Sequence, residues 1–296
     1  MHKLAHWALL ILAACWAATI PAAETVRFPD YPDVNKAFFR AALQLALDKS
    51  GHDYVLAPVL PQMLQGRSIA RAMGSGGDID VLWTMTTRQR ETMLLPVRFP
   101  VDKGLLGWRI AIVRQDKAEQ FARVQTLQDL RYFTAGQEHD WPDTRILRES
   151  GLPVMGTDHY ESLFRMLAAR RFDYFPRGVT EAWAEVDARP GLGLTVERFV
   201  VLRYPAAEYF FVTPRKPYLA RHIWHGLLRA QADGSFDRLF HAHFDPILQR
   251  ARLQDRRVIE LPNPLIDATK LLPADSPWWY RPLPAPGPAP GKLPLN

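Results

Sequence analysis

The sequence holds a single cysteine, Cys15, so no intramolecular disulfide can form and packing alone must hold the fold. Beyond the first two dozen residues it lacks any apolar run near the ~20 residues that a membrane-spanning helix needs, because charges and prolines interrupt each one. It also lacks a Walker loop, a dinucleotide glycine fingerprint and a nucleophile elbow. Its 37 lysines and arginines give a net charge of +6, but they form no long basic run and no RNA-binding signature, so no nucleic-acid partner is expected. Metal-ligand spacing is missing as well. His241 and His243 are two apart on an expected helix and face opposite sides, while His222 and His225 lack a nearby third ligand.

What is present can bury a real core. With 296 residues, 48% hydrophobic and 23% charged, the chain suits one large domain or two lobes. The opening "MHKLAHWALLILAACWAATIPAAE" has Lys3, an apolar stretch and then small residues with no acid before Glu24, the pattern of a secretory signal over residues 1–23. "LAAC" resembles a lipobox in which Cys15 would be acylated. Apolar sequence continuing through Trp16 to Ile20 favours ordinary cleavage near Ala23. The mature chain is expected in the periplasm.

Strand and helix patterns alternate from there. Asp33 can cap a helix carrying Val34, Phe38, Ala41, Ala42 and Leu45 at helical spacing, with Gly51 closing it. "YVLAPVL" reads as a strand, "GRSIARAM" as a helix stopped by "GSGGD", and "IDVLW" as a short buried strand. Strand, helix, strand is the grammar of a parallel α/β sheet. A new unit opens at "WRIAIV" and runs through "TLQDLRYFTAG", a helix after Asp143, "YESLFRMLAARR", "FDYFP", a helix from Val179 and "RFVVLRYP". "AAEYFFVTP" should then return to the first unit. Two helices follow, one with Leu219, Ile223 and Leu227 on a stripe and one with Ser235 as N-cap after Asp233. Residues 263–296 form a proline-rich tail, expected to be extended or disordered from 273 onward.

The order of these elements resembles that of periplasmic solute-binding proteins of the type 2 fold, the class that includes the amino-acid-binding proteins of ABC transporters. "GDIDVLWTMTTRQR" is similar to the family's strand followed by Thr-x-x-Arg, with Thr87 and Arg90 at the motif's ends. "MLAARRFDYF" is similar to its helix-to-strand join, with Arg171 and Asp173 in place but Ala169 and Arg170 where a glycine is usual. "YFFVTPRKPYLARHIWHGLLRAQADGSFDRLFHAHF" resembles the closing strand and helix pair. The resemblance covers residues 24–244. It implies two α/β sandwiches joined by two hinge strands, with lobe 1 at 24–103 and 206–262, lobe 2 at 104–205, and the ligand between them.

On that resemblance Arg90 grips a ligand carboxylate, for which a bidentate fork is suited. Thr84 is a hydrogen-bonding candidate beside it, Thr87 of the same motif is a further ligand-binding candidate, and Trp83 ends the same strand as cleft wall or core. Tyr31 either stacks on ligand or packs its loop. Asp140 and Trp141 stand before a helix start of the kind that suits anions, and Asp143 there is expected to be structural. Arg177 faces the cleft, open to ligand or to a salt bridge. Arg109 could pair with Asp102 or touch ligand, Arg88 is expected to be solvated, and Arg98 has no clear assignment. In amino-acid-binding relatives an aspartate about five residues past the position of Asp173 holds the ligand's ammonium. Here that position is Gly178, beside Arg177, with Glu181 as the nearby acid. Arg90 and Arg177 together would favour a dicarboxylate or another anion. The expectation is an exported, monomeric, non-catalytic binding protein without cofactor, delivering a small, anionic solute to an ABC permease. The alternatives are a sensing partner of a membrane signalling protein, or a dehydratase-like enzyme in which Glu138, Asp140 or His139 would serve as acid and base.

Overall fold

The computed structural model describes residues 23–31, 34–61 and 65–282. The leader with Cys15, the expected Asp33 cap and the end of the proline-rich tail lie outside them. Among the described residues no helix is long and apolar enough to cross a membrane.

The first group of elements is β1 (Glu24–Pro29), α1 (Lys36–Asp48), β2 (Tyr54–Val59), α2 (Gln65–Met73), β3 (Val81–Met85), α3 (Arg88–Met93) and β4 (Leu95–Val97). The second is β5 (Trp108–Arg114), α4 (Leu127–Leu130), β6 (Ala135–Glu138), α5 (Pro142–Glu149), β7 (Val154–Thr157), α6 (Tyr160–Ala168), β8 (Tyr174–Gly178), α7 (Ala182–Asp187), β9 (Leu194–Val196) and β10 (Val200–Arg203). The chain ends with β11 (Glu208–Val212), α8 (Pro217–Ala232), α9 (Ser235–Ala251) and β12 (Arg257–Glu260).

Two sheet layers follow from these strands. In the first, β1 and β2 pair in parallel while β11 runs antiparallel between β3 and β4; the Asp80 N–H donates to the Arg27 carbonyl at 2.8 Å and joins the two parts. β3 and β11 are buried at every residue, as expected of strands covered on both faces. In the second, the order is β12-β10-β5-β8-β6-β7, with β9 also on β5. The return of "AAEYFFVTP" to the first layer is thus found. β12 pairs in parallel with β10, so this strand joins the second layer, whereas residues up to 262 were expected in the first. Its register is set after α9 has carried the chain across, a long-range pairing that local pattern does not encode.

Helices α1, α8 and α9 cover the first layer. The α1 face turned inward is Phe38, Phe39, Ala42, Leu43, Ala46 and Leu47. The expected stripe is rotated, and Val34 is exposed. Gly226 of α8 backs onto α1 so closely that a Cβ there would lie 1.7 Å from the Ala46 carbonyl oxygen, which only glycine permits. Leu219, Ile223 and Leu227 are fully buried as the stripe implied. The N-cap of α9 is Gly234 rather than Ser235; the Asp233 carboxylate instead accepts from the Ser235 N–H at 2.9 Å.

Two crossings join the layers, and they bind each other. Val101 N–H donates to Glu208 O at 3.0 Å, and Tyr204 N–H to Gly107 O at 3.1 Å. The Asp102 carboxylate accepts from the backbone N–H groups of Gly104 (3.0 Å), Leu106 (2.6 Å) and Glu208 (3.4 Å), not from Arg109. Burial nevertheless raises its pKa, against those three donors.

The described part of the tail clasps this crossing rather than running free. Tyr280 N–H donates to Lys103 O at 2.8 Å. The Trp279 ring lies over Gly104, whose φ of 78° and absent Cβ admit it; a Cβ would sit 2.8 Å from the ring. Trp278 packs on Phe99 with centroids 4.9 Å apart. Arg88 is not simply solvated: its guanidinium donates to the carbonyls of Ile266, at 2.9 Å, and Pro264, fastening the tail to α3. Proline-rich composition disfavours helix and sheet, but it does not prevent aromatic side chains from finding a groove.

Candidate functional site

A cavity of about 540 Å³ lies between the two layers and is lined from both. Its first wall begins at the end of β3, where Trp83 stacks on Phe39 at 5.5 Å and meets Tyr31 edge-on at 5.4 Å. Trp83 is 2% exposed and Tyr31 7%, so both rings wall the cavity and extend the core at once. Thr84, the next residue, points an acceptor at Arg90.

Arg90 rides on α3. Thr87 caps that helix, its hydroxyl oxygen accepting from the Arg90 N–H at 3.1 Å. Thr87, which was expected at the ligand, lies outside the cavity lining and sets the helix that carries Arg90. The Arg90 guanidinium donates from Nη1 to Thr84 Oγ1 at 2.6 Å and to Met85 O at 2.9 Å, and from Nη2 to Gln65 Oε1 at 2.6 Å. All three acceptors are neutral. Among the described residues, Nε makes no hydrogen bond and no carboxylate pairs with the group. Burial therefore pulls its pKa down to about 10, the penalty for a cation with no counter-charge in contact. Gln65 gives no sequence signal of this role, because its helix merely reads as amphipathic.

The second wall comes from the ends of β6 and β8 and from α5 and α7. Here charges are paired. Arg177 donates from Nε to Glu185 Oε2 at 2.8 Å and from Nη2 to Glu185 Oε1 at 2.6 Å, with Glu181 3.2 Å away. Trp141 stacks beneath, its ring centroid 4.6 Å from the Arg177 guanidinium carbon. The Tyr160 hydroxyl donates to Glu185 Oε1 at 2.6 Å. Burial opposes the Arg177 charge, yet Glu181 and Glu185 outweigh it and hold the pKa well above the ordinary guanidinium value.

Arg109 behaves alike. Its guanidinium pairs with Asp143 at 2.6 Å, lies 3.4 Å from Glu181, and donates from Nε to the Tyr204 hydroxyl at 2.9 Å; that hydroxyl donates in turn to Asp143. Asp143 is thus structural, fixing the start of α5 to the hinge side. Glu181 Oε2 also accepts from Gly178 N–H at 2.7 Å. The corner at Gly178 is filled by that carboxylate, and both flanking arginines are neutralised. A second free guanidinium opposite Arg90, and with it the preference for a dicarboxylate, is not what this wall offers. Arg98 pairs with Glu91, on the outside of α3.

Asp140 and Trp141 line the cavity as expected, with Asp140 exposed at its edge. Glu138, the last residue of β6, also lines it and is 7% exposed. Its pKa is raised, first by burial and then by the neighbouring Asp140. Among the described residues, seven carboxylates and three guanidinium groups line the cavity. Among the described residues, no group of three or more His, Cys, Asp or Glu is placed to hold a metal ion.

No family model matches the sequence, and neither does any curated protein. Solved structures do. An ancestral arginine-binding protein bound to glutamine is 19% identical, aligned over 74% of this chain and 97% of its own, at a TM-score of 0.55. The VFT2 domain of Bordetella pertussis BvgS, as a double mutant, is 17% identical over 74% of this chain and 93% of its own, at a TM-score of 0.56. A histidine kinase sensor domain with similarity to periplasmic binding proteins is 14% identical over 75% of this chain and 96% of its own, at a TM-score of 0.55. At such identities the likeness is one of fold. With two sheet layers, two crossings and a cavity between them, this chain has the two-lobed type 2 periplasmic binding protein fold.

Proposed function

We propose that the protein is an exported, non-catalytic solute-binding protein that holds a small molecule carrying an anionic group between its lobes. The lobes divide near residues 103 and 205, with the C-terminal β12 added to the second. One observation carries this reading: Arg90 is buried in the cleft wall, and among the described residues its guanidinium bonds only to neutral acceptors, Thr84, Met85 and Gln65. A guanidinium in that state gains a charge-assisted pair when a carboxylate or similar anion enters, and closing lobes would bury the pair. The bound form is then read out at a membrane, by an ABC-type permease or by a sensor protein. The similar structures include the substrate binding protein of an amino acid ABC transporter as well as the histidine kinase sensor domain. Arg90, Thr84, Tyr31, Trp83, Asp140 and Trp141 are the proposed contacts. Arg177 supports the second wall through its carboxylate pairs. Native mass spectrometry of gently purified protein tests the reading. It predicts a small-molecule adduct that disappears in Arg90→Met, while an adduct retained by that variant counts against it.

A further inference from the structure

We propose that the solute is an amphiphilic carboxylate, with its anionic head on Arg90 and a medium-length hydrocarbon body laid along the exposed side of α2. The inference rests on the solute-binding reading and specifies its ligand. Gly66, Ile69, Ala70 and Met73 follow the spacing of one helix face, and all four line the cavity. The neighbouring face of α2, with Ser68 and Ala72, is the one turned to the core. The helix is thus apolar on two sides, and only one of them is covered by the protein. Met93 of α3 and Val34 before α1 widen the strip. Met73 is 43% exposed and Val34 41%, large apolar side chains left bare at the mouth of a cavity. Apolar surface grouped in this way marks a binding groove, and methionine adapts its shape to what enters.

The strip begins at the anion anchor. Gln65, which opens α2, accepts from Arg90 Nη2 at 2.6 Å, and Met73 closes the helix about 12 Å further on at 1.5 Å per residue. The charge of this wall fits the same ligand. Apart from Asp102 and Glu208 at the crossings, Arg90 is the one charged residue that the first lobe brings to the lining among the described residues, and the other five carboxylates stand on the second wall. Size agrees. The lobes already touch where Asn35 Nδ2 donates to Thr180 Oγ1 at 2.9 Å, yet the space between them is about 540 Å³. Cavities of roughly 300–1,000 Å³ hold ligands of drug size, and a compact anion on Arg90 would leave most of the strip bare.

The test is calorimetric titration of the full chain with butyrate, hexanoate, octanoate, decanoate and 3-phenylpropionate, beside succinate, glutarate, leucine and phenylalanine. Affinity should rise about fourfold per added methylene from butyrate to octanoate, the ratio that burial of a methylene yields, and octanoate should bind more tightly than leucine or phenylalanine. Ala70→Glu and Met73→Glu each place a charge at an exposed position without touching the core. Each should weaken octanoate at least tenfold and flatten the series while circular dichroism stays that of the wild type. Arg90→Met should weaken octanoate tenfold as well; equal binding would show unspecific partition and overturn the proposal. An affinity indifferent to chain length overturns the groove and leaves the Arg90 half standing, as does a series that both α2 variants leave unchanged. Binding confined to the amino acids or the dicarboxylates has the same meaning. If no probe binds, the amphiphilic ligand is refuted, and the co-purifying adduct decides the solute-binding reading separately.

Discussion

Asn35 Nδ2 donates to Thr180 Oγ1 at 2.9 Å, joining the start of α1 in the first lobe to the loop after β8 in the second across the cavity that both residues line. A side-chain bond of this kind contributes about 1 kcal/mol net. Thr180→Val, which keeps the shape and removes the acceptor, should therefore shift the balance of closed to open forms about fivefold toward open. Small-angle scattering without added ligand reads this as a larger radius of gyration. An unchanged profile would mean that the bond does not set the lobe angle.

Arg177 and Glu185 stabilise the second wall only as a pair. Glu185 is 2% exposed and Arg177 7%, so Arg177→Met leaves a buried carboxylate uncompensated, at a cost of about 3–5 kcal/mol. Replacing both, as Arg177→Met with Glu185→Leu, should restore most of the loss. Urea unfolding of the single and double variants checks this; a double variant no more stable than the single would contradict the pairing argument.

The raised pKa of Glu138 gives a pH signature. A carboxyl whose folded pKa lies above its unfolded value binds more protons in the folded state, so stability from this group falls as pH rises through the raised value. Glu138→Gln should consequently stabilise the free protein at neutral pH, with the advantage vanishing below the ordinary carboxylate range. The charges of Asp140, Arg177 and Asp158 also act on this group, so the comparison must be made between the variant and the wild type at each pH. Thermal melts from pH 4 to 8 would show it, and parallel curves would refute it.

The tail prediction is equally direct. Trp278 and Trp279 are half-buried against the crossing, and each contributes on the order of 1–2 kcal/mol. Ending the chain at residue 262 should lower the melting temperature by several degrees and, by uncovering Gly104, loosen the hinge. An unaltered melt would show the clasp to be energetically idle.

What the sequence discloses is whatever local period encodes. Alternating buried strands and amphipathic helices disclose the α/β layers, and the stripe of Leu219, Ile223 and Leu227 discloses α8. The Thr87 to Arg90 spacing marks a capped helix that delivers an arginine to the cleft. What stays hidden depends on contacts between distant segments. Gln65 meets Arg90 from another helix, β12 finds β10, and Trp279 finds a groove that exists only once the crossings are formed. At Arg177 the sequence leaves ligand contact and salt bridge open, and the structure shows the salt bridge. Sequence places it at the cleft but does not show that Glu185, one turn into the next helix, reaches back to neutralise it.

The most direct test of the central claim is calorimetric titration of the solute that co-purifies with the protein, into the wild type and into Arg90→Met. A lost charge-assisted pair costs about 1.5–3 kcal/mol, so the variant, shown to be folded by its circular dichroism, should bind at least tenfold more weakly. Equal affinity in the two proteins would contradict the claim that Arg90 anchors the solute between the lobes.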